Sequence, residues 1–152
     1  MDTHDSEDKS QEQQEFEKAV QEKYMELQMA SNELKQMQAQ LKAIDQQMID
    51  LSSVAESLDE LKASKVGKEM LVPISGGIFV KGILKDTETL IVNVGANVAV
   101  KKSVDETKQL LNKRLKETEE IRAQALSELE NMAVHAHQLE SELGEMIGQK
   151  EE

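Results

Sequence analysis

The stretch Val72–Gly82, VPISGGIFVKG, decides how the rest of this 152-residue chain is read. It carries the only proline, Pro73, and three of the seven glycines. Val, Ile and Phe lie on either side of Ser75-Gly76-Gly77, the composition of two strands joined by a tight turn. Beyond this region, on both sides, the chain is rich in glutamine and glutamate with a helical apolar period. Strands and turns over residues 67–102 thus separate two long helices.

Working outward, Met70–Ile74 and Ile78–Leu84 read as the first hairpin, and Lys85–Thr89 as a polar turn. Leu90–Val94 and Val98–Lys101 read as a second hairpin around Gly95-Ala96-Asn97. Strand alternation puts Met70, Val72, Ile74, Ile78, Val80, Leu84, Leu90, Val92, Val94, Val98 and Val100 on one face, which is wholly apolar. The other face is mixed but still carries Leu71, Phe79, Ile83 and Ile91. Hairpins of this size are marginal in water by themselves, and a helical stem covers only their end. The surplus apolar surface therefore predicts subunit association through the strands, with the first face as the oligomer interface. Pro73 has no amide to donate, so it is expected at a ladder edge or a bulge.

On the N-terminal side, residues 11–66 follow a seven-residue repeat. Val20, Leu27, Leu34, Leu41, Met48 and Ala55 fall at position a, and Phe16, Ala30, Met37, Ile44, Leu51 and Leu58 at position d. Lys23 alone interrupts the d series. This is the pattern of a coiled-coil helix, roughly 80 Å long at 1.5 Å per residue. Gly67 is expected to end it. On the C-terminal side, Ser103-Val104-Asp105-Glu106 is a capping box that opens a second helix over residues 103–152. Its stripe runs through Val104, Leu111, Thr118, Ala125, Met132, Leu139 and Met146, with Leu115, Leu129, Ala136 and Leu143 at the partner position and Lys108 and Arg122 as interruptions. Helices of similar length joined by a compact insert fold back as an antiparallel pair. The expected class is α+β: a long antiparallel two-helix coiled coil with two inserted hairpins that assemble into an oligomeric β-barrel platform. Residues 1–10 are charged and nearly free of apolar side chains, and are expected to be disordered.

Composition narrows the function. Aromatic residues make up 2% of the chain and charged residues 32%, with no cysteine and a net charge of −12. Few large aromatics argue against a thick globular core within one chain. Residues 1–66 carry 15 acids and 7 bases, residues 103–152 carry 12 and 6, and only residues 67–102 are slightly basic, with 3 and 5. Acidic flanks disfavour nucleic acid, which needs a Lys/Arg surface, and anionic membranes. Without cysteine there are no disulfides, thiolate metal sites or cysteine nucleophiles. No apolar run reaches the length of a membrane span, and the acidic start is unlike a secretory signal, so a cytoplasmic location is expected. His135 and His137 are two residues apart on a helix and point away from each other, so no metal site is expected. No nucleophile–base pair and no phosphate loop stand out. The chain is therefore read as a non-enzyme without cofactors.

The order helix, four strands, helix, with LVPISGGIFVKGILKD and VNVGANVAVKKSVDE at its centre, resembles the alpha-type subunit of prefoldin. Beta-type subunits of that family have one hairpin, so two hairpins point to alpha type. The resemblance covers nearly the whole chain, and the strand segment is its specific part. It departs at Gly95-Ala96-Asn97, where the family often has Gly-x-Gly, and in the acidic N-terminal extension. The resemblance implies a cytosolic hetero-hexamer of two alpha-type and four beta-type subunits, with the coiled coils hanging from a double β-barrel. It implies a holdase that works without ATP. Such a holdase captures unfolded polypeptides at the coiled-coil tips and delivers them to a group II chaperonin. The client-binding candidates at the tip are Phe16, Val20, Tyr24, Leu139, Leu143, Met146 and Ile147. Packing between the helices competes for most of them, and Phe16 and Ile147 are the better placed for exposure. Acidic tips could also dock on a basic chaperonin patch. The alternative is a coiled-coil scaffold or tether that binds no unfolded client.

Overall fold

The computed structural model describes the backbone of residues 3–149 and the side chains of residues 10–149. Two helices bracket four strands: α1 (Thr3–Ala63), β1 (Glu69–Ser75), β2 (Ile78–Ile83), β3 (Thr89–Gly95), β4 (Val98–Ser103) and α2 (Val104–Gly148). The first two residues of the expected disordered segment 1–10 lie outside the described residues. From Thr3 the backbone is helical. Once α1 is nucleated further along, each added residue contributes one backbone hydrogen bond, and Glu, Gln and Lys are good helix formers.

Within α1 the side chains at the heptad positions are half-buried or buried: Phe16, Val20, Lys23, Leu27, Ala30, Leu34, Met37, Leu41, Ile44, Met48, Leu51, Ala55 and Leu58. Within α2 they are Val104, Lys108, Leu111, Leu115, Thr118, Arg122, Ala125, Leu129, Met132, Ala136, Leu139, Leu143 and Met146. Thr118 tolerates a seam position because its hydroxyl donates to the Arg114 carbonyl at 2.8 Å. Thr107, also buried, donates to the Ser103 carbonyl at 2.8 Å. Neither hydroxyl is left unpaired, so neither carries the penalty of a buried lone donor.

The start of α2 is fixed by its capping box. The Ser103 amide donates to Glu106 Oε2 at 2.9 Å, and the Glu106 amide donates to Ser103 Oγ at 3.1 Å. Donation by the Ser103 amide holds the Glu106 carboxyl below its ordinary value.

The chain divides into two units. One, the terminal unit, combines the chain up to residue 43 with the chain from residue 122. The other, the hairpin unit, spans residues 44–121. In the hairpin unit Leu58, Val104 and Leu111 form a small core, with Leu51, Ala55, Leu61 and Leu90 packed against it. Fully burying one such side chain stabilises by about 1.5–3 kcal/mol. Two ion pairs cross between the helices beside this core. Lys62 Nζ meets Asp105 Oδ1 at 2.9 Å, and Lys108 Nζ pairs with Asp59 Oδ1. Rising along one helix and falling along the other, these pairs mark the antiparallel run.

The strands form two separate antiparallel sheets of two strands each, β1–β2 and β3–β4. In the first, Met70 faces Gly82, Val72 faces Val80, Pro73 faces Phe79 and Ser75 faces Ile78. In the second, Leu90 faces Lys102, Val92 faces Val100, Asn93 faces Ala99 and Gly95 faces Val98. Every pair in one hairpin recurs in the other 20 residues later. The irregularities recur as well, between Pro73 and Ser75 and between Asn93 and Gly95. Pro73 thus sits on a strand paired on one side, next to a bulge, where a residue without an amide donor is tolerated. The bulges leave Ile74 and Val94 with no direct partner, so strict alternation fails at these two positions.

Both turns are two-residue loops of the type whose twist suits a hairpin, which requires positive φ at both positions. Gly76 and Gly77 supply it in the first, at 58° and 80°. Ala96 and Asn97 supply it in the second, at 49° and 62°. Asn tolerates this region, and alanine is strained there.

Candidate functional site

Two surfaces hold the residues singled out from sequence. The first is the pair of hairpins. Every residue of β1 is exposed, and so is every residue of β2 except Gly82, which is half-buried. Met70, Val72, Ile78 and Val80 are exposed on one face, and Leu71, Phe79 and Ile83 on the other. The second hairpin is seated differently. Leu90, Val92 and Val100 are half-buried, and Leu90 packs on the Leu58–Val104–Leu111 core. Its opposite face is open, with Ile91 75% exposed. Ile74, Val94 and Val98 are exposed and Leu84 is half-buried.

Each strand therefore has one unpaired edge, and the first hairpin leaves apolar side chains bare on both faces. Such an arrangement can accept further strands by backbone pairing and bury valines and isoleucines against a partner. The sequence pattern identified one apolar face. It underrated the other, because Lys81 and Lys101 dilute a face that still carries Leu71, Phe79, Ile83 and Ile91. The connecting turn is ordered by Asp86, whose Oδ1 accepts from the Glu88 amide at 2.8 Å and the Thr89 amide at 3.3 Å. These amides, that of Glu88 first, hold the Asp86 carboxyl below its ordinary value.

The second surface lies in the terminal unit. Of the seven tip candidates, Leu139 and Leu143 are in the seam, 3% and 9% exposed. Phe16, Val20 and Met146 are half-buried. Tyr24 and Ile147 are exposed. Met25 and Met29 are exposed beside Tyr24 on α1, and Val134 is exposed on α2. Met25 and Met29 are one helical turn apart and share a face. The seam residues could not be told from exposed ones by chemistry alone, since packing and client binding call for the same apolar types.

Lys23, the interruption of the α1 repeat, has a partner that the sequence did not reveal. Its Nζ lies 2.8 Å from Glu142 Oε2 on α2 and 3.6 Å from Glu26 Oε2 on its own helix. The hydrogen bond to Glu142 raises the Lys23 pKa and lowers that of Glu142. Lys108, which interrupts the α2 repeat, likewise forms an ion pair, with Asp59 of α1. A cation at a seam position is thus matched by an acid from the facing helix in both units.

Among the described residues, no group of three or more His, Asp or Glu side chains is placed to hold a metal. Among them also, no helix is long and apolar enough to cross a membrane. His137 Nδ1 lies 3.9 Å from Glu140 on the same helix.

Comparison with known proteins matches residues 30–149 to the prefoldin subunit family. The chain is 41% identical over 104 residues to prefoldin subunit alpha of Pyrococcus horikoshii, covering 62% of this chain and 70% of that one. It is 29% identical over 108 residues to prefoldin subunit alpha of Thermofilum pendens, covering 71% and 84%. The fold resembles the cryo-EM structure of filamentous PFD from Methanocaldococcus jannaschii, with a TM-score of 0.69 and 18% identity, covering 76% of this chain and 96% of that one.

Proposed function

The chain belongs to the prefoldin family of chaperone subunits, with alpha-type subunits among its relatives, and from that premise we propose that it is the strand-donating subunit of a holdase. In this reading it assembles with beta-type subunits through its hairpins, two alpha to four beta. The complex captures unfolded polypeptides at the coiled-coil tips without ATP in the cytoplasm and passes them to a group II chaperonin.

The observation that carries the reading is the state of the first hairpin. Its apolar side chains are bare on both faces and its edges are unpaired. Leaving this surface in water is costly, and strands from other subunits would cover it. Exposed Tyr24, Met25, Met29 and Ile147 support client contact in the terminal unit. Methionine adapts its shape to many partners, which suits a client of no fixed sequence.

The test is to mix the chain with a beta-type subunit, weigh the assembly, and add it to a chemically unfolded enzyme on dilution. A six-subunit mass with suppressed aggregation is expected. A complex that assembles but leaves aggregation unchanged would instead make the chain a scaffold or tether.

A further inference from the structure

Resting on the holdase reading, we propose that Lys23 is a weak layer built into the terminal seam and latched by Glu142. Together they set how readily the two helices part to expose Val20, Leu27, Leu139 and Leu143. Lys23 stands where the α1 repeat calls for a large apolar residue, between Val20 and Leu27. It is 27% exposed, so most of its stem is covered while its ammonium reaches out to Glu142. A lysine here forfeits the burial a leucine would give, and the exposed ion pair returns only part of it.

One heptad further along α1 the seam is again thin. Ala30 on α1 and Ala136 on α2 are small seam residues. Gly144 lies within α2 beside Leu143, and glycine weakens a helix interior. The leucines are nonetheless held: Leu139 and Leu143 are buried, and they flank Glu142 in sequence. The ion pair also fixes which residues face each other, because a shifted register would set Lys23 against apolar side chains without an acid. The unit is thus closed in one register but only lightly. Glu142 is the residue that keeps Lys23 satisfied, and Glu26 is placed to share the cation when the helices separate.

The experiment uses the assembled complex with hydrogen exchange read over residues 16–30 and 136–147, and aggregation protection read in parallel. Lys23→Leu is expected to slow exchange in both segments at least tenfold and to reduce client protection. Glu142→Gln is expected to speed exchange several-fold, and raised salt to do the same for the native complex but not for Lys23→Leu. Lys23→Arg, and the exchanged pair Lys23→Glu with Glu142→Lys, should restore native exchange. Exchange that is the same in native, Lys23→Leu and Glu142→Gln complexes, or that ignores salt in the native one, overturns the proposal. So does a tightened Lys23→Leu seam with undiminished protection. A native complex that gives no protection at all instead sinks the holdase reading, while the exchange data still report on the latch.

Discussion

Leu84 and Val104, 20 residues apart, make the same hydrogen bond in two copies of one hairpin. The Leu84 amide donates to the Lys68 carbonyl at 2.9 Å, and the Val104 amide donates to the Glu88 carbonyl at 3.1 Å. The equivalence covers registers, bulges and turns. The copies differ in what surrounds them. The second is seated through Leu90 on the stem core and runs directly into α2, whereas the first is open on both faces. A repeated unit with one copy anchored and one copy free suits a subunit that must hold its own platform in place and reach a neighbour.

Assembly should fail without unfolding the chain when the free copy is charged. Val80→Glu places a carboxylate opposite Val72 on an exposed face. Circular dichroism of the lone chain should be unchanged, while association with beta-type subunits weakens by at least about 100-fold, since burying an unpaired ion costs several kcal/mol. Undiminished association, measured as complex mass at fixed concentration, would remove this face from the interface.

The second turn carries strain that can be relieved. Ala96 has a φ of 49°, in the left-handed region. Ala96→Gly should stabilise the second hairpin by about 1 kcal/mol and Ala96→Val should destabilise it by a similar amount or more. Denaturant unfolding of the complex measures both. The family often has a glycine two residues after Gly95, where this chain has Asn97, whose side chain tolerates its φ of 62°.

The anchored copy depends on a small core. Leu111→Ala removes a buried side chain that packs among Leu58, Val104 and their neighbours. A loss of about 2–3 kcal/mol is expected, at the low end for leucine truncation because so few residues enclose the site. Hydrogen exchange should rise at Leu90 and around residues 104–111, and protection of β1 and β2 should change little.

Acid should loosen specific joints first. Glu106, Asp86, Asp105 and Glu142 all have carboxyls held below their ordinary values by named donors. Groups lowered in the folded state contribute stability that is complete above their ordinary values, 4.5 for Glu106 and 3.8 for Asp86, and lost as pH falls through the folded ones. The amides of Ser103, Glu88 and Thr89, which donate to Glu106 and Asp86, should therefore lose exchange protection below about pH 4. Ser103→Ala should cost about 1 kcal/mol through the lost cap.

Much of this was legible in the sequence because periodicity is local. The heptads placed Leu27, Leu58, Leu111 and Leu139 in the seam, and the Ser103–Glu106 spacing placed the start of α2. What was hidden depends on distance. Lys23 and Lys108 were visible as interruptions, but Glu142 and Asp59 become their partners only through the antiparallel register. The hairpin repeat was obscured because only positions such as Val72 and Val92, or Lys81 and Lys101, are identical, while Pro73 and Asn93 share a backbone role and no chemistry. At the tip, Leu139 and Leu143 are client candidates by residue type, and both are buried in the closed seam.

In the proposed function, clients are held in the terminal unit and the hairpins build the assembly. The most direct measurement is light scattering of a chemically unfolded enzyme diluted into a complex lacking residues 1–26 and 138–152 of this chain and the matching ends of its partners. The complex should keep its full subunit number by mass and lose its protection. Full protection by the shortened complex would mean that clients are held elsewhere.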